Sequence, residues 1–261
     1  MDLEALLDVA TRAAREAGDL LLRGYRSRPS IELKGRANLV TQYDRDSEAL
    51  LGERLRATGL PVFGEELGGD TGAATFYVDP LDGTTNFAHG HPFFCVSIGL
   101  VEAGRPLLGV VLAPALGVEW RGAPGLVHST RNGERCAPSA IARLEDAMIA
   151  TGFPSVREDR DFEAFLATKR AVQAVRRCGA AAIDMCLVAD GTYEAYFERK
   201  LNPWDFAGAG AVVLGAGGRL SSPTGGPADL FSGALVASNG LVHDELLALL
   251  APTDFARAHR P

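Results

Sequence analysis

The chain has 261 residues, of which 47% are hydrophobic and 23% charged, enough for one large globular core or two closely packed halves and too apolar for a disordered protein. Its net charge of −7, from 26 Lys and Arg against 33 Asp and Glu, comes without any Lys/Arg-rich run, so nucleic acid and anionic membrane surfaces are excluded as first partners. Four cysteines (Cys95, Cys136, Cys178, Cys186) show no CxxC spacing, the start MDLEALLD lacks a signal peptide's positive charge, and the stretches GVVLAPALGV and AGAGAVVLGAG are too short to span a bilayer; together these predict a soluble cytoplasmic protein with reduced thiols.

Apolar or Ala positions at helical spacing (Leu3, Leu6, Leu7, Ala10, Ala14, Ala17, Leu21) predict an amphipathic helix over 3–25, stopped by Gly24. Residues 30–41 look partly extended and carry the basic loop Lys34-Gly35-Arg36. A second helix is predicted over 44–57, ended by Gly59, and PVFGEE reads as a short strand running into an acidic loop. TFYV reads as a buried strand that should stop at Asp79-Pro80, because proline cannot donate to a ladder. FCVSIGLV and LLGVVLA flank the turn EAGRP, short strands surround WRGAPG, and Arg131-Asn132-Gly133-Glu134 is a hairpin signal. After Ser139 the pattern alternates: a strand at AMIATG, a helix over about 159–175, a helix at AAIDMCLVADG, a strand at YEAYFE, a small-residue helix at WDFAGAGAVVLGAGG, a strand at ALVASN and a helix at HDELLALL. The first part, 1–138, therefore reads as helices with an antiparallel sheet, and 139–261 as an α/β half, packed as one unit with a site between them.

Acidic residues cluster at the predicted strand ends. Glu65 and Glu66 follow PVFG; Asp79 and Asp82 flank the turn after TFYV, followed by Gly83-Thr84-Thr85 with free amides and hydroxyls. A hard cation could sit between Asp79 and Asp82 with a phosphate on the amides of Gly83 and Thr84. Each position also has an ordinary use. Asp-Pro and Asp-Gly form turns, Asp44 and Asp205 suit helix N-caps, and Glu65 and Glu66 suit a solvated loop.

The set GEE, DPLDGTTNF and NPWDFAGAGAVV with AGG after it, joined by NLVTQYD and RRCGAAAIDMCLVADG, resembles the inositol monophosphatase family in order and spacing over nearly the whole chain. The resemblance implies a layered αβαβα sandwich of the inositol monophosphatase and sugar phosphatase type, and a magnesium-dependent phosphoric monoester hydrolase. It implies two or three magnesium ions: one on Glu65, Asp79 and the Leu81 carbonyl, a second on Asp79, Asp82 and Asp205, and a weaker third near Glu65. Asp44, Thr84 and Glu65 become catalytic, with Thr84 and Asp44 orienting the attacking water. Gly83, Thr84 and Thr85 become the phosphate cradle, Ala181, Glu198 and Asp205 the polyol contacts, and Lys34 a lid residue. Where many members carry Ser or Thr after the glycine of RRxG, this chain has Ala180. His89 and His91 read as packing or hydrogen-bonding residues, Trp204 and Phe87 as walls of the site.

The expected substrate is a small phosphorylated polyol, inositol monophosphate first. Fructose 1,6-bisphosphate (with Arg176, Arg177 or Arg199 on the distal phosphate), 3'-phosphoadenosine 5'-phosphate and histidinol phosphate remain alternatives, as does a regulatory protein without turnover. Lithium inhibition and a homodimer are implied by the same resemblance.

Overall fold

Period-two alternation along the strands assigns each apolar side chain to one of three cores, and that assignment lays out the molecule. The computed structural model describes residues 1–27, 31–33, 39–153 and 162–257. Its elements are α1 (Leu3–Gly24), β1 (Ile31–Leu33), β2 (Leu39–Thr41), α2 (Gln42–Arg56), β3 (Val62–Gly64), β4 (Gly68–Gly69), β5 (Ala74–Asp82), α3 (Thr84–Ala88), β6 (Cys95–Glu102), β7 (Arg105–Ala113), β8 (Val118–Ala123), β9 (Val127–Arg131), β10 (Glu134–Arg135), β11 (Met148–Thr151), α4 (Phe162–Ala171), β12 (Ala174–Arg176), α5 (Ala181–Ala189), β13 (Ala195–Arg199), α6 (Pro203–Ala216), β14 (Arg219–Ser221), β15 (Ala234–Ser238), α7 (His243–Leu250) and α8 (Asp254–Arg257).

Eight strands form one sheet, in the order β10-β9-β8-β7-β6-β5-β3-β4, and five form another, β12-β11-β13-β15-β14. On the first sheet Phe76, Val78, Val96, Ile98, Leu108 and Val110 face one way, onto Leu7, Ala10, Ala14, Ala17 and Leu21 of α1 and Leu51 and Leu55 of α2. Tyr77, Cys95, Val111 and Ala113 face the other way, into a central core with Ile183 and Met185 of α5 and Phe206, Ala209 and Val213 of α6. The second sheet closes that core with Ala150, Tyr196, Leu235 and Ala237. Its opposite face (Ile149, Ala195, Phe197, Val236) is covered by Ala164 of α4, Leu246 and Leu250 of α7 and Phe255 of α8. Five layers result: helices, sheet, helices, sheet, helices. Both sheets are mixed, since β3 runs parallel to β5 and β11 parallel to β12 and β13 among otherwise antiparallel pairs.

Three expectations need correction. First, β5 does not stop at Asp79-Pro80 but runs on to Asp82. Its parallel neighbour β3 ends opposite Val78, and the pairing with β6 shifts register between Asp79 and Asp82, so the missing Pro80 donor falls where no ladder needs it. Second, α2 begins at Gln42 with Thr41 as N-cap, so Asp44 is the third helical residue and closes a capping box rather than capping the helix itself. Third, the predicted helix over 159–175 is seen only as Phe162–Ala171, and residues 154–161 lie outside the described residues; Ala174–Arg176 is a strand paired parallel to Met148–Ala150. The Arg131–Glu134 hairpin is present, with Asn132 and Gly133 both at positive φ (50° and 85°). Cys95, Cys136 and Cys186 are buried and Cys178 is half-buried, all as free thiols. Among the described residues no helix is long and apolar enough to cross a membrane.

Candidate active site

The parallel register of β3 on β5 (Gly64 beside Val78) brings the residue that follows each strand position, Glu65 and Asp79, alongside one another, and the Glu65 amide donates to the Val78 carbonyl at 3.3 Å. β5 continues to Asp82, whose carboxylate reaches across to the start of α5 and accepts from the Ala182 amide at 2.8 Å. Asp205 stands at the third position of α6 and accepts from the Asn202 amide at 2.6 Å, closing a capping box. The end of β3, the last four residues of β5 and the start of α6 thus deliver four carboxylates to one region between the sheets.

Their charges are felt mutually. Burial pushes the Asp79 carboxyl well above the usual carboxylate range, and Glu65, Asp82 and Asp205 push it further against the pull of the Leu81 amide, which donates to it at 2.9 Å. Burial raises Asp205 as well; the Asn202 amide opposes this, and the charges of Asp82, Glu65 and Glu198 add to it. Asp82 is pushed up to about 6 by burial, held back by the amides of Ala182 and Ala181 and by the Cys95 thiol. Each of the three aspartates has turned an oxygen onto a backbone amide, and among the described residues no three Asp, Glu, His or Cys side chains close into a finished coordination set.

Shortly after Asp82 in the chain comes a hydroxyl bonded to a further carboxylate. Gly83 is left-handed (φ 89°), as a turn into the short α3 requires, and a Cβ there would crowd the Phe93 carbonyl at 2.9 Å. This turn places the Thr84 hydroxyl 3.0 Å from Asp44 Oδ1 and 3.0 Å from the Leu81 carbonyl. A hydroxyl donates one proton, so whichever acceptor takes it, the lone pairs of Thr84 remain for a water. Asp44 is fixed in turn by the Thr41 amide (2.8 Å) and hydroxyl (2.6 Å); its carboxyl is raised by burial and drawn back by these bonds.

The remaining expected residues fall as follows. Glu198 on β13 accepts from the Tyr196 hydroxyl and occupies the space over Gly152. The Ala181 amide is directed at Asp82, and Thr85 is exposed. Lys34 lies outside the described residues. His89 and His91 are exposed, and His91 Nδ1 accepts from the Phe93 amide. Trp204 is half-buried and stacks on Phe63 at 5.9 Å, whereas Phe87 is no wall of the site: it is buried under α1 and α2 against Phe94, Tyr43 and Tyr25. Arg199 stands 3.8 Å from Asp254, and the Arg177 guanidinium lies over the Phe153 ring.

Four residues of the region were not found by sequence reasoning. Asp184 on α5 is buried, its Oδ1 has no hydrogen-bond partner among the described residues, and burial followed by the charges of Glu198 and Asp82 raises it well above the usual range. A lone carboxylate in the apolar stretch AAIDMCLVA was the available signal. Asn86 donates to the carbonyls of Phe93 (2.7 Å) and Cys178 (2.9 Å), tying α3 to the turn before α5. Ser47 donates to the Pro80 carbonyl at 2.9 Å, and Glu48 receives the amides of the acidic turn. These two sit at i+3 and i+4 from Asp44, a helical spacing that could have marked a polar buried face.

All the donors are carboxylate or carbonyl oxygens, and the buried Asp79 is surrounded by like charge; both suit a hard divalent cation and neither suits a soft one. A model of the inositol monophosphatase family matches residues 2–253. The chain belongs to that family. The inositol-1-monophosphatase of Synechocystis sp. is 39% identical, over 97% of this chain and 91% of its own length. A protein of Aquifex aeolicus named fructose-1,6-bisphosphatase/inositol-1-monophosphatase is 34% identical, over 94% of this chain and 95% of its own. The solved structure of inositol monophosphatase from Anabaena (Nostoc) sp. superposes with a TM-score of 0.88 at 34% identity, covering 99% of this chain and 100% of that one. As an inositol monophosphatase family protein the chain is a phosphoric monoester hydrolase of a generally metal-dependent kind, with that family's layered α/β fold.

Proposed function

We propose that this phosphatase hydrolyses a small phosphorylated polyol, inositol monophosphate first, by direct attack of water on phosphorus with magnesium at the carboxylates. Asp79 carries the reading: it is buried, and the charges of Glu65, Asp82 and Asp205 all act on it. Two unit charges about 4 Å apart repel by roughly 4 kcal/mol at an effective dielectric of about 20, a cost that bound cations remove. Glu65, Asp79, Asp82, Asp205 and the Leu81 carbonyl are the oxygens we assign to two or three magnesium ions, which when bound supply positive charge against the phosphoryl group and acidity to water.

The side chains supply orientation and proton handling. Thr84 donates to Asp44 and accepts from the attacking water, aiming its oxygen at phosphorus. Asp44, already pushed toward its neutral form by burial, is suited to take up the proton arriving through Thr84. Gly83, Thr84 and Thr85 are assigned to the phosphate oxygens, Ala181, Glu198 and Asp205 to polyol hydroxyls, and Lys34 to the cover over the phosphate. A homodimer, lithium inhibition and a cytoplasmic location belong to the same proposal, the last supported by four free thiols.

A sugar bisphosphate is the second reading, supported by the name of the Aquifex relative and by the exposed Arg177 before the α5 turn, while Arg199 is already beside Asp254. Phosphate release is to be measured with magnesium across inositol 1-phosphate, fructose 1,6-bisphosphate, 3'-phosphoadenosine 5'-phosphate and histidinol phosphate. The inositol ester should give the highest kcat/KM, and Asp82→Asn should lower it at least 100-fold. Full activity in that variant overturns the ligand assignment; an inactive parent with all four esters favours a non-catalytic protein.

A further inference from the structure

The turn that carries Glu65 is held by a residue of a different element. β3 and β4 form a tight hairpin, Phe63 opposite Gly69 and Gly64 opposite Gly68, with Glu65, Glu66 and Leu67 at its tip. Beneath the tip lies Glu48 of α2, only 4% exposed. Its two carboxylate oxygens accept from consecutive amides, Oε2 from Glu66 at 2.6 Å and Oε1 from Leu67 at 2.7 Å. Consecutive amides converging on an anion form the kind of backbone nest that ordinarily receives a phosphate or an external carboxylate. Here the anion is built in. A Cβ at Gly64 would overlap the Glu48 carboxylate, so a larger residue there has to push that carboxylate out of the nest. Gly64 has no left-handed backbone, so this contact and not backbone strain is what a larger residue would meet.

We propose that Glu48 is a positioning residue for cation binding: by occupying the nest it fixes the turn so that Glu65 stands alongside Asp79. The two fixings are complementary. The Glu65 amide is tied to Val78 of β5 on one side, and the two amides that follow are tied to α2 on the other. A glutamine at 48 presents an NH2 to one of those amides, donor against donor, and frees the tip. Asp44, Ser47 and Glu48 thereby act as one face of α2, holding Thr84, the Pro80 carbonyl and the acidic turn in a single register.

The inference rests on the assignment of Glu65 as a magnesium ligand, and the test separates the two. Magnesium affinity is measured by isothermal titration calorimetry on folded protein, with thermal unfolding followed in parallel, for the parent, E65Q, E48Q, L67P (which deletes one nest donor at an exposed tip), G64A, E48A and E48A/G64A. E65Q, E48Q and L67P should each weaken magnesium binding about tenfold or more. G64A should do the same in the parent and add less than twofold in the E48A background, where the overlap is gone. Unchanged affinity in E65Q overturns the ligand assignment itself. Weakened binding in E65Q with unchanged affinity in E48Q and L67P overturns the positioning role, as does a G64A effect of equal size in both backgrounds. A merely structural Glu48 lowers the unfolding temperature without moving the magnesium affinity. Should E48Q fail to fold, L67P decides.

Discussion

His243 has no exposed surface, yet both its ring nitrogens are satisfied: Nδ1 lies 2.7 Å from the Ser238 hydroxyl and Nε2 2.9 Å from that of Ser221. The directions can be assigned. Ser221 donates to the Ser222 carbonyl and must therefore accept from Nε2–H, while Ser238 receives the Gly240 amide and donates to Nδ1. The ring is neutral with its proton on Nε2. Burial, with Arg219 assisting against Asp244, lowers its pKa to about 4. The unfolded ring, near 6.5, binds a proton that the folded ring refuses, so this residue removes stability as pH falls from about 6.5 toward 4, on the order of 2 kcal/mol in total. Asp82 acts with the opposite sign, because its carboxyl is raised to about 6 and takes up protons in the folded state first. NMR should find the His243 imidazole signals unmoved from pH 8 to 5; titration near 6.5 would show that the Ser–His–Ser chain is not as described.

At the scale of elements, a glycine seam places Asp205. Gly99 and Gly109 are paired across β6 and β7, and Gly109 is paired with Gly122 on β8. Gly208 of α6 rests on this row so closely that a Cβ on Gly109 would overlap the Gly208 carbonyl, and one on Gly99 the Ala207–Gly208 peptide. Backbone meets backbone, with no side chain that could rotate away. Gly109→Ala should cost about 3 kcal/mol, lower the unfolding temperature by roughly 6–12 °C, and reduce kcat/KM at least tenfold because the start of α6 is displaced. Calorimetry and steady-state kinetics check both. The seam was written in the small-residue stretch AGAGAVVLGAG, but its partner row is scattered over three strands and only the register reveals it. The strands themselves were legible where alternation or an apolar run was strong, as in TFYV and FCVSIGLV. The passage of β5 through Pro80 was not, since a proline in a strand is tolerated only where the neighbour ends, and the end of β3 is a fact of pairing. Similarly, Asp79, Asp82 and Asp205 were legible as an ordered motif, whereas Glu48 and Asp184 carry only a faint mark, a helical spacing from Asp44 and a lone carboxylate in an apolar stretch, and are identified by what packs on them.

For the whole molecule, the consequence of the proposed function is that stability depends on a divalent cation. The folded protein concentrates buried carboxylates that the unfolded chain leaves solvated, so a cation that binds only the folded state stabilises it by about 2.7 kcal/mol at 100 times its Kd. Magnesium at that level should raise the unfolding temperature by roughly 5–10 °C at pH 7.5, and chelation should reverse the shift. No shift in the parent, with E65Q and Asp82→Asn behaving identically to it, would mean that the carboxylates do not share an ion.

The bond from the Ala182 amide to Asp82 joins positions 100 residues apart, and Asp205 arrives later still. On the ligand assignment proposed above, the centre is therefore incomplete in a partly synthesised chain until the α6 segment has left the ribosome. Recovery of catalysis after denaturation should accordingly trail every local folding event and report the last docking of the layers.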